Sequence, residues 1–286
     1  MPIVLHGTQE QKQRWLPPMT AGDSIGAFAI TEPDAGSDTA SMRTRAEQHG
    51  DTFVLNGTKT FITNGSLADV VTVIARTDPD APTGQAFTAF LVETDQPGFT
   101  VSRELHKLGN RTSPTVELSL DDVEVHESQI LGETGTALWR IGFECFDWER
   151  CVMIASAVGG MARDLEESVA YAKQREAFGK PIGRFGAIQH KVAQMRIRLE
   201  IAQLLQRQAA WLKDQGLEHQ TEAAMAKAYV GEAAVESSLD AIQIHGGWGY
   251  VDEFHVERSL RDAKLAGIGG GTTEIQEMII ARSLLG

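Results

Sequence analysis

The sequence predicts an α+β multi-domain fold, an antiparallel β domain over residues 24–130 followed by an up-and-down helical bundle over residues 131–286. Two observations carry this reading. Between 24 and 130, short β-branched or aromatic runs are separated by turn dipeptides, and no helix-period segment lies between them, which calls for antiparallel pairing in a barrel- or sandwich-like sheet. From about residue 133 the apolar spacing switches to three and four residues. With 286 residues and 42% hydrophobic content the chain has material for two cores.

Residues 1–23 read as a linker with a brief helix. Thr8 followed by Gln11 fits a capping box, and Pro17-Pro18 is the expected stop. The strands expected next are Ser24–Thr31, Thr52–Leu55, Val70–Ala75, Ala86–Val92, Phe99–Arg103 and Thr115–Leu120, with turns at Asn56-Gly57 and Asn64-Gly65. A long helix is expected over 136–174 from Leu138, Ile141, Val152, Ala155, Val158, Met161, Leu165 and Val169. Further helices are expected over 185–214 and 220–245, the last stopped by Gly246-Gly247. Thr273 with Gln276 reads as a capping box opening a final helix, Glu274–Leu285.

Lysine and arginine number 26 against 39 acidic residues, a net charge of −13 that argues against nucleic acid as a partner. Cys145 and Cys151, if helical, stand about 240° apart at about 100° per residue, so they cannot pair within a helix. Unpaired thiols suit a reducing compartment. With no signal-like start and no run of about 18 apolar residues, a soluble cytoplasmic protein without a membrane span is expected.

Several segments carry chemistry and also have plain structural readings. The loop Thr31-Glu-Pro-Asp-Ala-Gly-Ser-Asp38 is an ordinary turn by composition, or a cradle for a polar ligand such as a pyrophosphate. Thr60-Phe-Ile-Thr-Asn-Gly65 ends a strand, or presents Phe61 to a planar ring and Thr63 to its heteroatoms. Arg175-Glu-Ala-Phe-Gly-Lys180 closes a helix, or sets a cation beside an aromatic for an anionic group. Gly247-Trp-Gly249 lacks a third glycine and follows a helix, so it is no dinucleotide fingerprint. His245 suits a capping role, and with no second histidine at ligand spacing no metal is expected. Glu149, in Phe146-Asp-Trp-Glu-Arg150, is most simply a paired surface glutamate. Phe143, Phe146, Trp148 and Val152 make its surroundings apolar, and burial would raise its pKa toward that of a usable base.

Together these segments resemble the acyl-CoA dehydrogenase family. The carriers are PIVLHGTQEQKQRWLPPMTAG, FAITEPDAGSD, NGTKTFITNG, QREAFGKPIGRFGAIQHKVAQM, AIQIHGGWGY and RDAKLAGIGGGTTEIQ, in this order and over nearly the whole chain. The resemblance implies FAD contacted by both the β and the helical domains. It places Phe28, Ile30, Thr31 and Ser37 in the first flavin loop, with Ser37 near the pyrophosphate and the substrate. Phe61, Ile62 and Thr63 fall in the second, where a tryptophan is more usual than Phe61. Arg175, Phe178, Gln243 and Gly247 match contacts to FAD in a neighbouring subunit, implying a homodimer or homotetramer, and Thr272 and Glu274 match cofactor contacts at the final helix, whose start suits an anionic group.

Many family members carry the catalytic glutamate one residue before the Gly-Thr of the last motif, a position occupied here by Gly270. A minority, the isovaleryl type among them, carry it on the first helix of the C-terminal domain in Asp-Leu-Glu-Arg, which matches Asp147-Trp-Glu-Arg150. The resemblance therefore implies Glu149 as base and Arg150 on the substrate side; should Glu149 not serve, Glu144 is the next candidate. The backbone N–H of Gly270 and a flavin ribityl hydroxyl would receive the thioester oxygen. The implied reaction is α,β-dehydrogenation of an acyl-CoA or other acyl thioester, with electrons passed to an electron-transfer flavoprotein. Family members normally begin with a further helical domain, which this chain is expected to lack. Dehydrogenation of a carrier-protein-bound acyl or aminoacyl group, or a non-catalytic truncated relative that binds flavin or acyl groups, are the alternatives.

Overall fold

A computed structural model describes every residue from Met1 to Gly286 and divides into two compact units, residues 1–107 with 111–146, and residues 108–110 with 147–286. The division falls later than the boundary expected at 131, because Leu138, Ile141 and Cys145 are buried in a core of the first unit.

The first unit opens with α1 (Pro2–His6) and α2 (Gln9–Ala21). Thr8 Oγ1 accepts from Gln11 N–H at 3.2 Å and Gln11 Oε1 accepts from Thr8 N–H at 3.0 Å, the expected capping box. The helix does not stop at Pro17-Pro18. A proline loses its N–H but keeps its carbonyl, and Pro18 O accepts from Asp23 N–H at 2.9 Å as the helix closes on Gly22 at φ 84°.

Eight strands follow: β1 (Gly26–Ala29), β2 (Arg45–His49), β3 (Thr52–Thr63), β4 (Val70–Arg76), β5 (Phe87–Glu93), β6 (Phe99–Glu104), β7 (Thr115–His126) and β8 (Ile130–Leu131), paired in the order β6-β7-β3-β2-β4-β5-β8 with β1 on β4. The pairing is antiparallel except that β1 runs parallel to β4, and β2 meets β4 in parallel at Arg45 and Arg76. The whole β2–β3 excursion separates β1 from β4, a connection long enough for parallel pairing. Asn56-Gly57 is not a turn but a register shift inside the 12-residue β3. There Gly57, at φ 154°, passes close to Thr44, and the Asn56 side chain bonds Asp122 at 2.9 Å. The polar β2 escaped a hydrophobic-pattern reading because only Ala46 in it is buried. β4 and β5 are buried on both faces. Val70, Ile74, Phe87, Ala89 and Leu91 join one core, and Val71, Val73, Ala75, Phe90 and Val92 join the other.

A π-helical segment, Leu138–Phe143, leads into α3 (Glu144–Val152), and Met153 separates α3 from α4 (Ile154–Gln174), so the single helix expected over 136–174 is interrupted. The small hairpin of β9 (Glu176–Ala177) and β10 (Lys180–Pro181) precedes α5 (Gly186–Asp214), α6 (Gln220–His245), α7 (Val256–Ala263) and α8 (Thr273–Leu285). α7 has one buried residue, Val256, and gave no apolar signal. α8 is capped by Thr272, not Thr273: Thr272 Oγ1 accepts from Ile275 N–H at 3.3 Å, and Gln276 is buried beneath the turn. α6 is central, packed by α4, α5, α7 and α8. Its alanines at 223, 226, 233, 234 and 241 let those neighbours approach closely. No helix is long and apolar enough to cross a membrane.

In the first unit the two expected ligand loops are tied together from behind. Lys59, fully buried, donates to Ile30 O at 3.0 Å and to Glu32 Oε1 at 2.8 Å. Glu32 also accepts from Arg43 N–H at 2.6 Å and Thr44 N–H at 3.0 Å, and Thr60 N–H donates to Thr31 O at 2.9 Å. Burial draws the Lys59 pKa down to about 8 even though Glu32 favours its charge. Removing one member of such a pair strands the other, so Lys59→Met should destabilise the first unit by about 3 kcal/mol, read as a lower urea midpoint at unchanged m-value.

Candidate functional site

Residues Gly269–Gly271 form a turn between α7 and α8 with φ 65° at Gly270 and 92° at Gly271, settings that favour glycine. The carboxylate of Glu149 reaches this turn from α3. Its Oε2 lies 3.7 Å from the point a Cβ on Gly270 would occupy, with Met153 Cε at 3.1 Å and Lys227 Cε at 3.8 Å. Burial raises the Glu149 pKa above the ordinary carboxylate value, and the neighbouring Arg150 partly offsets the rise. Trp148 is half-buried beneath the Lys213 ammonium, 4.4 Å from its ring centroid, whereas Val152, expected beside Glu149, is exposed. Arg150 is 2% exposed and pairs with Asp147 at 3.0 Å, and Glu144 is engaged by His6 at 3.1 Å.

Two residues at this turn were missed in the sequence. Lys227 on α6 donates to Ala266 O at 3.1 Å and to Gly271 O, and Gln276 Nε2 donates to Gly271 O at 3.1 Å. Burial draws the Lys227 pKa down to about 8. A signal existed: Lys227 falls in helical register with Ala223, Val230 and Ala234, a charge on the buried face of an alanine-rich helix.

The other expected site residues divide between the units. In the first, Phe28 and Thr31 are half-buried, while Ser37 and Thr63 are exposed. Ile30 and Ile62 are core side chains, so only their main chain is available to a ligand. Phe61 is 67% exposed yet holds φ 59°, a setting costly for a bulky residue, at the second irregularity of β3. In the second unit, Phe178 is 95% exposed at the hairpin tip with φ 52°. A cleft of about 550 Å³ is lined by Tyr171, Arg175, His245, Gly246, Gly247 and Trp248. His245 is buried, stacked on Tyr171 at 4.3 Å, and its Nδ1 lies 2.8 Å from Ala241 O. Gln243 and Gly247 are exposed near it, and Thr272 with Glu274 stands at the N-terminus of α8.

The sequence matches the family model of the acyl-CoA dehydrogenase middle domain over residues 27–123 and that of the C-terminal domain over residues 139–285. The chain belongs to the acyl-CoA dehydrogenase family. It is 44% identical to a probable acyl-CoA dehydrogenase, YngJ, of Bacillus subtilis strain 168, over 99% of this chain and 74% of that protein. Among solved structures it resembles the prolyl acyl carrier protein oxidase AnaB, at 41% identity and a TM-score of 0.97, over 100% of this chain and 75% of that one. It also resembles PigA in its FAD complex, at 38% identity and a TM-score of 0.95, over 99% of this chain and 73% of that one. It is accordingly an oxidoreductase, and FAD is the cofactor of its family. The residues present fit that group: an exposed aromatic held against its backbone preference at Phe61 suits a planar ring, and a cleft rimmed by Arg175 suits an anionic one.

The backbone of Gly270 makes its own test. Gly270→Ala should cost about 1–2 kcal/mol for a left-handed setting and press on Met153. Gly269→Ala, whose Cβ would meet only ordinary contacts, should stay within about 0.5 kcal/mol of the parent in the same urea titration.

Proposed function

We propose that this chain catalyses FAD-dependent α,β-dehydrogenation of an acyl thioester, giving the trans-2-enoyl thioester, with Glu149 as the α-proton base. The observation that carries this reading is the place of Glu149 Oε2, 3.7 Å from where a side chain on Gly270 would begin. The loop position that holds the base in many family members is empty of a carboxylate here, and α3 supplies one to the same space.

A thioester carbonyl acidifies its α-carbon. Glu149 takes the α-proton, and the N–H of Gly270, a donor with no side chain in its way, receives the charge that develops on the carbonyl oxygen. Met153 flanks the same turn, and the half-buried setting of Glu149 limits its contact with water. When bound, FAD supplies the two-electron acceptor for the hydride leaving the β-carbon. Arg150, fixed by Asp147, sets the electrostatics beside the base on the substrate side. Phe28, Thr31, Ser37, Phe61 and Thr63, with the main chain of Ile30 and Ile62, would hold the cofactor, as would Thr272 and Glu274. Arg175, Phe178, Gln243 and Gly247 act toward the cofactor of a neighbouring copy, so the working form is a homodimer or homotetramer; the strained, solvent-facing Phe178 supports this. Electrons pass to an electron-transfer flavoprotein. Cys145 and Cys151, both buried and in no disulfide, suit the cytoplasm. A second reading, a carrier-protein-bound acyl or aminoacyl substrate, is favoured by the 41% identity to the prolyl acyl carrier protein oxidase AnaB.

Anaerobic titration separates these readings. Butyryl-CoA should bleach the bound flavin under the first, and a prolyl group on a phosphopantetheinyl carrier protein under the second. Glu149→Gln should retain FAD and slow bleaching by about 1,000-fold or more; undiminished bleaching would move the base elsewhere, Glu144 first.

The raised Glu149 pKa sets the pH dependence. The base works only when ionised, so the acid limb of kcat should lie above 4.5 and rise with pH. The folded state keeps the Glu149 proton to higher pH than the unfolded one, so stability should fall as pH rises from 4.5 through the folded value. Glu149→Gln should lack that slope in urea titrations across the same range.

A further inference from the structure

Three consecutive glycines carry the turn at 269–271, and glycine has the widest backbone freedom of any residue. Something outside the turn must choose its course. The strongest candidate comes from α6, where Lys227 and Gly231 stand one helical turn apart on a buried face. At Gly231 the backbone of Ala266 and Gly267 lies against the helix; a Cβ there would meet Ala266 O at 3.1 Å. At Lys227, 1% exposed, the ammonium donates to carbonyls near both ends of the segment, Ala266 O at 3.1 Å and Gly271 O. Gln276 adds a second donor to Gly271 O at 3.1 Å.

Lys227 differs from the other buried lysine. Lys59 faces the carboxylate of Glu32, whereas both hydrogen-bond partners of Lys227 are backbone carbonyls. Glu274, exposed at the start of α8, favours its charge at longer range, and Arg150 opposes it. A cation buried without a contacting anion is expensive in folding free energy. Lys227 directs its donors to both ends of the segment that carries the all-glycine turn.

We propose that Lys227 is a positioning residue that sets the backbone of Ala266–Gly271 and so aims the Gly270 N–H at the thioester oxygen. Lys227 acts through the carbonyls it bonds, Ala266 O and Gly271 O. Its relation to the reaction rests on the proposed role of Gly270; its hold on the loop does not.

The test uses the full chain loaded with FAD. In Lys227→Met, a near-isosteric neutral stem, the amides of residues 268–272 should exchange hydrogen about 10-fold faster or more, while the rest of α6 keeps its protection. Lys227→Gln, which retains two N–H donors on a shorter stem, should fall between the two and serves if Lys227→Met folds poorly. Unchanged exchange at 268–272 in both variants, or loss of protection spread evenly over the helical unit, would overturn the proposal. With whichever of butyryl-CoA and the prolyl carrier thioester bleaches the parent, Lys227→Met should lower kcat by about 10–100-fold with KM within about 3-fold, the pattern of an interaction made in the transition state. Local loosening with unchanged kcat would sink the link to the reaction and leave the loop-holding role standing. An inactive parent would defeat the dehydrogenase reading, and the exchange measurement would still decide for or against Lys227.

Discussion

The turn at Gly269–Gly271 has one course because buried side chains take hold of its carbonyls, and the geometry of the candidate site follows from that hold. Glycine at these positions permits φ of 65° and 92° but does not select them. Lys227 and Gln276 select them, from α6 and α8, by drawing in Gly271 O. The turn then presents a bare backbone to Glu149, and a single carboxylate occupies the space in front of it. Packing matters as much as bonding, because Gly231 lets the loop lie directly on α6.

The first unit solves a similar problem in a similar way. Lys59 is buried and bonds both the carbonyl just ahead of the Thr31–Asp38 loop, Ile30 O, and the Glu32 carboxylate within it. Loops that offer main-chain groups to a ligand cannot also satisfy those groups within regular structure. A buried lysine gives such a loop a fixed internal partner with several donors, leaving the outward groups free. Desolvation offsets much of the Coulomb attraction of the Lys59–Glu32 pair, so the intact pair adds less net stability than the loss of one partner would remove. Both lysines also have their pKa drawn down to about 8, the expected mark of ammonium groups placed where water is scarce.

How much of this was legible in the sequence depended on whether local pattern or long-range contact fixed each element. α6 was read to the residue because its limits are local, a polar start and Gly246 at φ 62° as its stop. Asn56-Gly57 misled because the dipeptide favours a turn only when nothing larger intervenes; here β7 pairs along the whole of β3 and turns the glycine into a bulge. Pro17-Pro18 misled because a proline pair near a helix end still offers acceptors for closure. β2 and α7 carry too little apolar surface to announce themselves. Glu149 and Gly270 were singled out by motif, but their closeness is a tertiary fact, as is the hold of Lys227 on a loop 39 residues away.

The same geometry explains why a missing carboxylate at 270 is informative. A glutamate there would stand in a left-handed setting that costs an L-residue about 1–2 kcal/mol, and its Cβ would begin 3.7 Å from Glu149 Oε2. Two carboxylates sharing one desolvated site cannot both ionise readily; one would hold its proton and block the other. A base on the loop and a base on α3 are therefore alternatives and not supplements. Placing it on α3 has a mechanical advantage, because a helix fixes a side chain's origin more firmly than a glycine turn does. On the proposed reading the turn is then left with one task, to hold its N–H groups still, and an all-glycine turn clamped by its neighbours can perform it without a side chain to get in the way.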